Sequence, residues 1–406
     1  MKMKLKITKI KSIDEIAIFF CITAPFLNMY ATPIRSVGVC DFMIMVLLVL
    51  FAIKKHRVWN VNRFNLAILS VVVICFMNWW INIYSYASGM AFDITFRTLR
   101  FMAYMLMIYI MPKTVSNRDY AIRLFRFFSI LATGLLIIQN IVLRIFGVYV
   151  DGIVPFWPLM GGDGLYQQID NIYTINGRPF SFFSEPSSYA MYVGMYLALE
   201  LFAYKGEKRF DGLVRWFLTF GLLLSGSTTG IACAALVWLA YCIKMIRHTY
   251  NKEIRRFVAY MVIIVPIGMF FLIRNTYFLD MLARISQGDS ARIRFSGFNA
   301  FGINMPVQEK LFGHGMDDSV NSFFMSGIPR LYYYWGALGF LCFALVLVYL
   351  FYVGDRVSRI VIVIMIFMNL GSTWSWGQYM LVSGLLIIPK TYNIMIMDWN
   401  LVNNSE

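Results

Sequence analysis

The feature that most constrains this chain is a succession of apolar segments, each close to the length that crosses a lipid bilayer. A membrane helix needs roughly 20 predominantly apolar residues. Such segments fall at about 15–33, 37–53, 64–83, 94–112, 125–146, 187–204, 213–226, 229–246, 257–273, 331–353, 358–372 and 377–392. They predict an all-α polytopic membrane protein with about 12 transmembrane helices, in a single integral membrane domain over 1–406. Composition agrees, since only 14% of the residues are charged where a soluble domain has about 25%. The N-terminus begins with Lys2, Lys4, Lys6, Lys9 and Lys11 and passes into an apolar run, as a signal peptide does. However, Asp14 and Glu15 interrupt the flank and no small-residue cleavage site follows, so the segment reads as an uncleaved first helix.

Positive charge orients the spans. The groups Lys54/Lys55/Arg57/Arg63, Lys113/Arg118/Arg123/Arg126, Lys205/Lys208/Arg209/Arg215, Lys244/Arg247/Lys252/Arg255/Arg256 and Arg356/Arg359 occupy alternate loops, on the side of the basic N-terminus. Both termini are therefore expected in the cytoplasm. Much of the +15 net charge is then positive-inside bias, and no nucleic-acid partner is implied.

The opposite side carries two long loops, at about 147–186 and 274–330. The first is rich in Gly, Pro, Asp and aromatics, among them Trp157, Tyr166 and Tyr173. The second holds Arg274, Arg284, Arg292, Arg294, Lys310 and Arg330 against few acids. Outer arginines run against the positive-inside trend and need a reason of their own. Loops of this length are usually functional or disordered, and their aromatic content argues against disorder.

Several residues are placed to do chemistry. In Ile175–Gly194 a polar stretch meets an apolar one, with Arg178, Pro179, Glu185 and Pro186 at the boundary. Pro186 suits the first position of a helix, which leaves Glu185 at an N-terminus that favours an anion. Arg178 is then either the ion-pair partner of Glu185 or a contact for a substrate anion. In Ser286–Gly302, Arg292 and Arg294 follow Asp289 and Ser290, an N-cap pair. A helix start there would offer backbone N–H groups and two guanidinium forks to a phosphate. Arg97 and Arg100 stand one helical turn apart in the fourth span, with Asp93 before them, and either snorkel to the surface or join such a site. Arg35 and Asp41 flank the second span. His314, between Gly313 and Gly315, reads as an exposed turn histidine or as a general base. The six cysteines lie in or beside apolar segments, and the three histidines form no cluster. No disulfide framework, metal site or cofactor is implied.

These residues resemble a family. Gly177–Ala190 followed by a span looks like the segment before the sixth span of Wzy-type polysaccharide polymerases, which extend O-antigen, colanic acid or capsule from lipid-linked repeat units. The Leu224–Gly230 turn, the Asp289–Arg294 segment, the Leu311–Gly315 turn and Gly336–Phe340 follow in the order shown by that family and by the related O-antigen ligases. Ligase-like members have an arginine where this chain has Thr228, and a histidine before the asparagine where it has Val320 and Asn321.

The resemblance implies a metal-independent GT-C-type glycosyltransferase at the outer face of a bacterial cytoplasmic (inner) membrane. The growing glycan would leave undecaprenyl diphosphate and join a sugar hydroxyl of the next lipid-linked repeat unit. Arg178, Arg292, Arg294, Arg284, Arg97 and Arg100 are the expected diphosphate contacts, and Glu185 and then His314 the expected base. Loop aromatics such as Trp157, Tyr166 and Tyr173 would face sugars. Membrane lipids, a chain-length regulator and a flippase are the implied partners. An O-antigen ligase is one alternative. A flippase or transporter of an anionic lipid-linked saccharide is another, although it would place ionisable groups at mid-depth.

Overall fold

The computed structural model describes residues 13–34, 37–54, 63–85, 88–154, 156–160, 177–203, 209–248, 305–316, 325–371 and 377–390. Helices account for all the regular elements among them. They are α1 (Ile13–Leu27), α2 (Val39–Lys54), α3 (Arg63–Asn82), α4 (Ser88–Ile110), α5 (Val115–Phe146), α6 (Pro186–Phe202), α7 (Arg209–Leu224), α8 (Thr228–His248), α9 (Val307–Phe312), α10 (Gly327–Val353), α11 (Arg356–Gly371) and α12 (Tyr379–Leu386). Every expected span falls on one of these helices except 257–273, which lies outside the described residues.

Four helices, α3, α5, α10 and Thr228–Met245 of α8, are long and apolar enough to cross a membrane, while α2 and α7 are apolar but shorter. Their outward faces suit lipid. Along α10, Leu338, Leu341, Leu345 and Val348 recur at helical spacing with 47–65% of their surface exposed. In water, an apolar stripe of that size would drive association.

Three segments differ from the sequence reading. Among the described residues of the expected span 377–392, the helix covers Tyr379–Leu386, about 12 Å at 1.5 Å per residue. The chain then runs extended, and Pro389 pairs with Gly354 in an isolated bridge. Proline, lacking an N–H, cannot continue the helix. The span 331–353 is broken inside α10 at Gly336 (φ 66°, ψ −173°). Finally, α5 begins at Val115, ten residues before the expected 125. Thr114 caps it by accepting from Asn117 N at 3.2 Å, which takes Arg118 into its first turn.

The core gathers around α6, whose residues from Tyr189 to Leu201 are all buried. A helix buried on every face belongs at the centre of a bundle. Aromatic edges lock it in place: Tyr192 lies 4.6 Å from Phe125 and 5.4 Å from Phe183, centroid to centroid. An ionisable side chain also sits in this interior. Glu200 is wholly buried and accepts from Tyr196 Oη at 2.7 Å.

One end of the bundle, here the base, is tied by polar contacts near the α4–α5 and α10–α11 turns. Arg118 of α5 pairs with Asp355, and their side chains are 8% and 13% exposed. Asp355 also caps α11 by accepting from Ser358 N at 3.0 Å. Ser358 Oγ accepts from Ile388 N at 2.8 Å, fixing the extended segment after α12. Lys113, buried between α4 and α5, donates to Gly384 O at 2.7 Å, and burial lowers its pKa from 10.5 to about 7.

Candidate functional site at the loop end of the bundle

The opposite end carries Gly177–Ser188, and the expectation for its helix start holds. Glu185 is the N-cap of α6 in extended conformation (φ −160°, ψ 157°), with Pro186 at the first helical position. The Glu185 side chain does not bond the backbone of the first turn. Its Oε1 instead accepts from Ser187 Oγ at 2.5 Å and Ser188 Oγ at 3.3 Å. Among the described residues no cation pairs with Glu185.

The alternative in which Arg178 is the ion-pair partner of Glu185 is therefore corrected. Arg178 donates from Nη2 to Gly226 O at 2.9 Å, in the turn between α7 and α8. The physical reason lies in the residues between the two. Phe180 and Phe183 are fully buried, and Ser181 adopts a left-handed φ of 61°. This plug fixes the chain so that Arg178 leaves toward α7–α8 and Glu185 toward the start of α6.

Gln139 of α5 holds the strained serine from both sides. Its Oε1 accepts from Ser181 N at 2.8 Å, and its Nε2 donates to Ser181 O at 3.1 Å and Val150 O at 3.0 Å. A non-glycine residue in this conformation persists only where its surroundings over-determine it. Gln139→Leu leaves a buried N–H unmade, at a cost of about 1–3 kcal/mol. It is expected to lower the midpoint of thermal unfolding and to free the Arg178–Glu185 segment, seen as faster hydrogen exchange over residues 177–185; unchanged exchange there would count against the clamp.

A second polar centre lies on α1, α2, α4 and α12. Asp41, 1% exposed, accepts from Tyr104 Oη, from Gly38 N at 3.0 Å and from Arg100 Nη1 at 3.4 Å. The Asn28 amide, oriented to satisfy its neighbours, donates to both Asp41 oxygens at 3.1 Å and accepts from the Gln378 amide. Next to Gln378, Tyr379 Oη donates to Ser188 O at 2.9 Å. Backbone and side chains thus run from Asp41 to the serine that holds Glu185. Arg100 is 27% exposed, and Arg97 is half-buried on the same helix. Asp41 has Arg100 as its partner; Arg35 lies outside the described residues.

His314 sits elsewhere on this end. Its Nδ1 is 3.4 Å from Glu309 Oε2, and its backbone N donates to Tyr333 O at 2.8 Å. Gly313 before it serves close packing rather than exposure. A Cβ on Gly313 would meet Tyr334 O at 2.2 Å, and one on Gly336 would meet Leu311 O at 2.4 Å. The Leu311–Gly315 turn is therefore docked into the break in α10, and Asn78 of α3 donates to Phe312 O and, at 2.9 Å, to Tyr334 O. Among the described residues no bond joins His314 to Glu185.

Arg284, Arg292, Arg294, Tyr166 and Tyr173 lie outside the described residues. Trp157 packs against the α1–α2 turn, donating Nε1 to Ala31 O at 3.0 Å. Sequence reasoning passed over Asn28, Asn78, Gln139 and Gln378. Amides within or beside apolar spans were the available signal, because a buried amide must find partners.

In chemical terms, this end offers a half-buried carboxylate steadied by hydroxyls, a tethered guanidinium, and the Arg100–Asp41 pair next to Arg97. Proton acceptance at Glu185 Oε1 or Oε2 and anion contact at the arginines are within its repertoire. A scan against protein-family models finds no match to this chain, and a search of curated proteins finds none either.

Proposed function

We propose that this chain is a Wzy-type polysaccharide polymerase. It joins undecaprenyl-diphosphate-linked repeat units at the outer face of a bacterial cytoplasmic membrane, with both termini inside. The observation that carries the reading is the separation of Arg178 and Glu185. Neither is spent on the other: Glu185 is held by two serines and Arg178 by the Gly226 carbonyl. A carboxylate and a guanidinium that do not neutralise each other fit a base and a diphosphate contact.

In this reading Glu185 takes the proton of the attacking sugar hydroxyl as its oxygen bonds the anomeric carbon of the growing glycan. The bond from that carbon to the lipid diphosphate breaks, and Arg178 stabilises the charge on the leaving diphosphate. Arg97 and Arg100 extend the cationic surface, and Arg284, Arg292 and Arg294 are assigned to it from the sequence. His314, tied to Glu309, is the second choice of base.

Orientation is tested by cysteine labelling from outside intact membranes. Substitutions at Gly162 and Gln308 are expected to label and one at Lys208 to stay protected; protection at either loop position sinks the outer-face site. Glu200, buried in α6, is the observation that favours the flippase, since ionisable groups within a bundle mark transport paths. Purified protein in liposomes separates the two, in buffer with EDTA. A ladder of lengthening glycans supports the polymerase. Movement of the lipid-linked unit across the bilayer without elongation supports the flippase.

A further inference from the structure

The aim of Glu185 is set by side chains rather than by the helix it starts. Its carboxylate bonds the hydroxyls of Ser187 and Ser188 and makes no cap bond to the backbone of the first turn. Its direction therefore depends on where that turn lies. The turn is held from α12, where Tyr379 Oη donates to Ser188 O at 2.9 Å. The tyrosine is buried and is itself held through its neighbour. Gln378 is the N-cap of α12, yet its side chain makes no cap bond there. Its amide instead donates to Asn28, which donates to both oxygens of Asp41 at 3.1 Å. Asp41 is anchored in turn by Gly38 N at 3.0 Å and by Tyr104 Oη.

α12 is built as a strut. Its residues from Tyr379 to Leu386 are all buried. Gly384 leaves it no room to shift, since a Cβ there would meet Ile108 Cδ1 at 2.5 Å. At the base, Lys113 Nζ donates to Gly384 O at 2.7 Å, and Ser358 Oγ accepts from Ile388 N at 2.8 Å. A short buried helix is thus tied at both ends, to the base at one and, through Asn28 and Asp41, to α1 and α2 at the other. Packed and hydrogen-bonded supports of this kind hold a reacting group within about 0.5 Å of its working geometry. A displacement of about 1 Å can cost on the order of 10²-fold in rate.

We propose that Tyr379 is a positioning residue for Glu185, with Gln378 and Asn28 holding the tyrosine in place. This role rests on Glu185 being the base. It places the control of that base in α12, a helix buried along its length.

The test uses the full-length protein in liposomes with lipid-linked repeat units, and reads kcat and KM per inserted protein. Tyr379→Phe removes only the hydroxyl. It is expected to lower kcat by about 10–10²-fold and to leave KM within about twofold, as for an interaction realised at the reacting geometry. Tyr192→Phe is the control, because Tyr192 Oη also donates to a backbone carbonyl, Ile22 O at 3.1 Å. It should lose comparable thermal stability and keep its kcat. Because Tyr379 acts through Ser188, Tyr379→Phe/Ser188→Ala should lose less than the product of the two single losses. Wild-type kcat for Tyr379→Phe beside an inactive Glu185→Gln would overturn the positioning role and leave the base in place. Equal kcat losses in Tyr379→Phe and Tyr192→Phe, or fully multiplicative losses in the double variant, would overturn it as well. An active Glu185→Gln would sink the base and the positioning role together. If Tyr379→Phe does not accumulate, Gln378→Leu, which cuts the chain one residue earlier, decides by the same split of kcat from KM.

Discussion

Arg178→Lys is expected to abolish detectable polymer while the protein still inserts and accumulates. The prediction follows from the tether. Arg178 donates from Nη2 to Gly226 O, and a guanidinium is a rigid planar fork of five N–H donors that can hold a carbonyl and a bidentate anion at fixed geometry. Lysine carries one compact ammonium, which can satisfy the carbonyl or the diphosphate but does not present a fork to both. Loss of one preorganised stabiliser of developing charge typically costs about 10²–10³ in rate. Glu185→Gln should be similarly inactive. It keeps the shape and the oxygen that the two serine hydroxyls reach, but removes the proton-accepting charge, which is worth about 10²–10⁴. The checking measurement is the glycan ladder divided by the amount of membrane-inserted protein. Near-normal ladders for both variants would return Glu185 to a helix-capping role and Arg178 to a turn tether.

Asp355→Ala should produce the largest loss of stability without touching the loop end. Arg118 and Asp355 are 8% and 13% exposed, so removing the acid strands a guanidinium in the base of the bundle. Breaking one half of a buried pair costs about 3–5 kcal/mol. The cap on Ser358 N and the link through Ser358 to Ile388 weaken with it. Removing both charges is different: Arg118→Met/Asp355→Leu should recover most of the loss, because an apolar pair of similar volume is often as stable. Thermal unfolding in detergent reads both. A small shift for Asp355→Ala, or a double variant as unstable as the single, would contradict this view of the base.

The loop-end elements show how far a sequence alone reaches. The start of α6 was legible because Pro186 and Glu185 act locally, through a fixed φ and a helix end. The positions of most helices were legible because hydropathy marks them. The partners were not. Gly226 lies far from Arg178 in the chain, and Asp41 is 59 residues from Arg100. Apolarity does not say which face of a membrane helix meets protein and which meets lipid, since lipid tails are as apolar as leucine. The lateral order of the helices, and so the meeting of turns, therefore stayed hidden. Gly313 and Gly336 make the same point, since their motifs were noticed separately and only the fold shows one backbone seated against the other. Ser181 gave no local sign of its left-handed backbone, which Gln139 imposes from another helix.

The most direct test of glycosyl transfer at the loop end follows the leaving group. Purified protein is supplied with lipid-linked repeat units labelled in both glycan and lipid. The expected result is one undecaprenyl diphosphate released for every repeat unit joined, with both products absent for Glu185→Gln. Repeat units that stay whole on their lipid while crossing the bilayer, or equal release by wild type and Glu185→Gln, would contradict it.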